Sequence, residues 1–139
     1  NPPANKTRAA EAGAIEAVVA AMEAHGGSDA VQEDACCALG NLALDSPANR
    51  ARAAEAGAIE AVVAAMEAHG GSDAVQQWAC FAVGQLASYS PANKARAAEA
   101  GAIEAVVAAM EAHGGSATVQ ELACHALGSL AYDSPANQA

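Results

Sequence analysis

Positive charge is scarce in this chain. Against 16 acidic side chains its 139 residues carry 6 Lys and Arg, a net charge of −10. So few cations cannot neutralise a run of phosphates, which excludes a nucleic-acid partner or an anionic membrane surface. Aromatics are almost missing: Trp78, Phe81, Tyr89 and Tyr132 are the four. A core must therefore come from Ala, Val, Leu, Ile, Met and Cys on closely approaching helices. No apolar run reaches the ~18 residues of a membrane span, so no membrane partner is expected. The start Asn1-Pro2-Pro3 has no basic region and apolar run, and no signal peptide is expected. What the chain has in excess is alanine, 43 residues of the best helix former, which excludes an all-β fold.

Chemical motifs are lacking too. There is no Gly-rich phosphate loop, no Ser-His-Asp order and no paired-carboxylate constellation. No catalytic residue and no cofactor site is expected, and the chain is read as not an enzyme. Cys36-Cys37 and His125 have neither CxxC nor HxxxH spacing, so no metal site is expected.

One repeat accounts for the whole chain. AAEAGAIEAVVAAMEAHGGS occurs at 9–28, 53–72 and 97–116, a period of 44 residues with 20 consecutive identical positions. The units run 1–44, 45–88 and 89–132, and 133–139 (DSPANQA) begins a fourth. Units of this length bury their apolar faces by stacking on one another, so 1–139 is a single solenoid.

Each unit punctuates itself into three helices. In the second, Ser46 caps a short helix with Pro47 at its first position, and Gly57 stops it. A second helix over about 58–69 places Ile59, Val62, Val63 and Met66 on one stripe. After Gly70-Gly71, Ser72 caps a third helix over about 73–88, with Asp73 at its positive end. Its buried face is Val75, Ala79, Ala82, Val83 and Leu86.

The remaining ionisable residues read as structural. His25, His69 and His113 close the second helices, where a donor or cation is favourable. Glu16, Glu23 and their copies form a solvated ridge. Lys6/Arg8, Arg50/Arg52 and Lys94/Arg96 are expected to pair with Glu11, Glu55 and Glu99 on the same helices. Cys36, Cys80 and Cys124 are expected in the inter-repeat core, spaced about 10 Å apart and beyond disulfide reach, with Cys37 exposed. Free thiols and the missing signal peptide suit a reducing, cytoplasmic-type compartment if the chain is expressed in a cell.

The 44-residue unit resembles the armadillo repeat. EAGAIEAVVAAM is similar to that family's EAGAIPALVxLL, and VQEDACCALGNLA (31–43) to its third helix, which ends in a run like EAAWALSNIA. HEAT repeats usually have two helices and lack the Gly break. Ankyrin and tetratricopeptide repeats have periods of about 33–34 residues. The resemblance implies an all-α, right-handed superhelical solenoid of three three-helix repeats. It also implies that the third helices line a concave groove for an extended peptide or protein. In the family an Asn holds the peptide backbone and a Trp four residues earlier shapes side-chain pockets. Asn41 matches that Asn, whereas Gln85 and Ser129 depart from it, and the Trp position holds Cys37, Phe81 and His125.

Variation among the units concentrates on one stripe of the third helix. It runs through Asp34, Cys37, Asn41 and Leu44, through Trp78, Phe81, Gln85 and Ser88, and through Leu122, His125, Ser129 and Tyr132, with Tyr89 at its edge. The buried face of the same helix is nearly constant, which makes the stripe the candidate partner-binding groove. Trp78 and Phe81 are expected there as its exposed or groove-lining centre, the alternative being that they fill core gaps. Near-perfect repetition with one diversified stripe also resembles a synthetic consensus-repeat scaffold, with a recently amplified natural array as the alternative. The competing functional reading is a structural or self-assembling scaffold with no ligand. Both terminal units keep the apolar positions of the middle one, so end-to-end self-association is expected.

Overall fold

The computed structural model describes residues 2–132. The fourth-repeat start expected at 133–139 lies outside them. Among the described residues there are nine α helices and no strand. The first unit holds α1 (Pro2–Glu11), α2 (Ala14–Ala24) and α3 (Asp29–Ala43). The second holds α4 (Pro47–Glu55), α5 (Ala58–Ala68) and α6 (Asp73–Ala87), and the third α7 (Pro91–Glu99), α8 (Ala102–Ala112) and α9 (Ala117–Ala131). The chain is an all-helical solenoid.

The punctuation works as its chemistry requires. The Ser46 hydroxyl accepts the Asn49 N–H at 3.2 Å, with Pro47 filling a position that needs no donor. Gly57 turns the chain into α5 at φ 83°, a left-handed conformation that costs glycine nothing. Ser72 accepts the Val75 N–H at 3.1 Å and starts α6. Both helices end one residue short of the expected 69 and 88, because His69 and Ser88 serve as C-caps.

Buried amides then fasten the helix ends. Gln76 donates to Met66 O at 3.1 Å and to His69 O at 3.0 Å, the latter also accepting the Ser72 N–H at 3.0 Å. Asn93 donates to Leu86 O at 2.8 Å and to Arg50 O at 3.1 Å, tying α7 both to the end of α6 and to the preceding first helix.

Successive third helices make the most extensive contacts in the molecule, α3 with α6 and α6 with α9, while α2, α5 and α8 form a second row. Between the rows lies one continuous core. In the middle unit Ile59, Val62, Val63, Met66, Val75, Ala79, Ala82, Val83 and Leu86 are all buried, as expected. Each large side chain removed from water there contributes about 1.5–3 kcal/mol.

Several expectations are corrected. Arg52 pairs not with Glu55 but with Glu16 of the preceding unit (3.5 Å), and Arg96 with Glu60 (2.9 Å). Glu16 and Glu60 are thus inter-unit partners rather than a purely solvated ridge. Arg50 is buried and donates to Ala43 O at 3.1 Å, and Lys6 donates to Leu44 O at 2.7 Å. The negative end of the third helix attracts these cations to its last carbonyls. Cys36 and Cys80 are buried, but Cys124 is exposed, because no described third helix covers α9. Cys37 is half-buried rather than exposed.

The histidines also reach beyond their own helix. His69 donates from Nε2 to Gly26 O at 2.7 Å and sets Nδ1 against the Asp29 carboxylate. His113 does the same with Gly70 O (2.7 Å) and Asp73.

Candidate functional site

Helical periodicity sends the diversified stripe to the side of each third helix away from the core. On α3, Asp34 and Asn41 are exposed while Cys37 and Leu44 are half-buried. On α6, Trp78, Phe81, Gln85 and Ser88 are half-buried, and Tyr89 just beyond it is 84% exposed. On α9, Leu122 and Ser129 are half-buried, and His125 and Tyr132 are exposed. None of the thirteen side chains is buried.

Trp78 and Phe81 do not stand free, however. Trp78 packs against the core, and the two rings meet edge to face with centroids 5.7 Å apart at 82°. The Phe81 ring lies over Gly40 of the preceding third helix, in the space that a Cβ there would need. His125 does the same one unit on, its Cδ2 2.8 Å from where a Cβ on Gly84 would sit. The pattern was present in the sequence as a glycine inside each third helix, against helix propensity. Sequence reasoning did not connect it to the rings one unit later.

Other stripe residues are drawn together. Asn41 Nδ2 donates to Cys37 Sγ at 3.5 Å, within one helix. Ser88 donates to Gly84 O at 2.6 Å and its Oγ lies 3.3 Å from Ser129 Oγ, bridging α6 and α9. These two serines line a hollow of about 410 Å³ with Tyr89, His125, Tyr132 and Lys94. Lys94 enters from α7, donates to Tyr132 O at 2.6 Å and holds Nζ 5.2 Å from that tyrosine's ring centroid.

Tyr89 stands out by its backbone. Its φ is +57°, a left-handed conformation that costs a non-glycine residue about 1–2 kcal/mol. Asp45 holds the same conformation in the first unit at φ +56°, and Asp tolerates it better.

The site offers little for chemistry. Burial, the largest cause, pushes the Cys36 and Cys80 thiols up to about 12, leaving them protonated at neutral pH. Among the described residues no group of His, Cys, Asp or Glu is arranged to hold a metal ion, and no helix is long and apolar enough to cross a membrane.

Residues 2–44 match the armadillo/beta-catenin-like repeat. The second and third units repeat that unit, with the 21 residues 8–28 identical in all three copies. The first unit is thus an armadillo-type repeat, and the chain resembles an array of three of them. Armadillo repeats commonly serve as protein-binding scaffolds and are typically non-enzymatic. No curated protein and no solved structure matches the sequence. Within this armadillo array, only the first unit carries Asn at the family's backbone-holding position, and no unit carries Trp at the pocket-shaping one.

Proposed function

We propose that the outward row of α3, α6 and α9 is a groove diversified for one protein or extended-peptide partner. The observation that carries this reading is the placement of variation: thirteen diversified side chains, none buried, over a core that scarcely changes. Tyr89 adds to it, since an exposed ring on a strained backbone has no packing reason to be there. The half-buried Trp78–Phe81 pair stiffens the middle of the groove, and the Tyr89–Tyr132 hollow is its contact centre. A regular ladder of backbone-holding Asn is replaced by Asn41, Gln85 and Ser129, which suits one partner rather than register-repeating recognition. Near-identity of the units elsewhere supports an artificial or consensus-derived origin. An array of extended peptides, probed with the chain and with Tyr89→Ala, tests the groove. The expected result is a defined set of binders that lose about 2 kcal/mol or more in the variant. Failure to bind any peptide would favour the ligand-free scaffold.

A specific observation supports end-to-end self-association as a second property. Val107 is 40% exposed and Ile103 and Met110 are half-buried, whereas their copies Val63, Ile59 and Met66 are buried. With both molecules strongly acidic, association strengthens with salt as well as concentration.

A further inference from the structure

The two internal joints are built from one set of contacts. Arg52 meets Glu16 at 3.5 Å, and Arg96 meets Glu60 at 2.9 Å. His69 grips Gly26 O and Asp29, and His113 grips Gly70 O and Asp73. Each joint thus has a donor half, an Arg and a His, and an acceptor half, a Glu, a Gly carbonyl and an Asp.

Both halves recur at the outer faces. Arg8 and His25 are exposed on the first unit, at the repeat positions of Arg52 and His69. Glu104 is exposed on the third, at the position of Glu16 and Glu60. The apolar positions between them follow suit, with Val18 half-buried on one side and Val107 exposed on the other. Cys124 is exposed where Cys36 and Cys80 lie fully covered.

We infer that a second copy of this chain docks on the α8–α9 face through the face formed by its own α1, α2 and α3, in the register of the internal joints, with Arg8 on Glu104. This rests on the self-association reading and specifies its geometry. Charge complementarity selects the occupant: the incoming face supplies Arg8 at the position that pairs with Glu16 and Glu60 in the internal joints, and the receiving face supplies Glu104.

The new joint is weaker than the internal ones for two legible reasons. Ala117 stands where Asp29 and Asp73 stand in the other units, so the incoming His25 finds no carboxylate. Cys37 replaces the rings that Phe81 and His125 lay over Gly40 and Gly84, and Gly128 has nothing within 4 Å of a Cβ position to fill that place.

Sedimentation equilibrium of the full chain over a concentration series tests the inference, with circular dichroism to verify that each variant is folded. Arg8→Glu and Glu104→Arg should each weaken association roughly fivefold, since attraction between exposed charges becomes repulsion. An equimolar mixture of the two variants should restore it, because opposite charges then meet at every joint. Ala117→Asp should tighten association by supplying the carboxylate for His25. The Cys124 thiol should become protected from alkylation as concentration rises. A monomer at all concentrations overturns self-association altogether. Association that ignores all three substitutions leaves self-association standing and overturns the register.

Discussion

The middle and third units carry the same second helix, AIEAVVAAMEA, with the same capping glycine, yet bury it differently. Ile59, Val63 and Met66 are buried, with α8 stacked on α5, whereas Val107 is exposed and Ile103 and Met110 are only partly buried against the core. Burial here belongs to the joint rather than to the residue. Identical side chains are core or surface according to what is stacked on them, and most of the consequences can be tested by making one substitution twice.

The largest difference should come from isoleucine. Ile59→Ala removes a fully buried side chain and should cost about 2–5 kcal/mol in urea unfolding. Ile103→Ala, at a half-buried copy of the same position, should cost less than half as much. Equal costs would break the comparison.

Glycine should give opposite signs. Gly40→Ala sets a Cβ into the Phe81 ring and should destabilise by about 1–3 kcal/mol through forced repacking. Gly128→Ala meets nothing within 4 Å inside a helix and should stabilise by about 1 kcal/mol. Thermal melts of the two variants decide this.

Tyr89→Asp should raise stability by about 1 kcal/mol, since Asp accepts the left-handed backbone more readily. It should also remove peptide binding, so that melting temperature and affinity move in opposite directions.

The last comparison changes no stability at all. Cys36 and Cys80, with thiols raised to about 12 by burial, should resist alkylation at pH 8 until the chain unfolds. Cys124 should react at once and Cys37 more slowly, as mass spectrometry of labelled peptides will read.

Helix boundaries were legible because the residues that set them act locally. Ser46-Pro47, Gly57 and Ser72 each need only their own turn to work. That the constant positions of the third helix form its buried face was legible as well, since it follows from helical period. The stripe's internal packing was not. Reading along one helix pairs Arg52 with Glu55, but stacking brings Glu16 within reach from 36 residues away, and the neighbouring helix wins. Gly40 and Phe81 looked like two unrelated residues for the same reason. Cys124 shares its position with Cys36 and Cys80 but not their environment, which the next third helix supplies.

Apart from the short ties at the unit boundaries, the side-chain hydrogen bonds that cross between units run 36–43 residues along the chain. Loops of that reach need not grow longer as units are added, so the entropy of closing them stays constant per unit. Folding can begin at either joint and spread like a zipper, and a longer array should fold no more slowly than this one. The same span makes 44 residues the natural quantum of gain or loss. Excising one whole unit would bring Arg96 opposite Glu16 and His113 opposite Asp29, re-forming the charged half of a joint without a single new mutation.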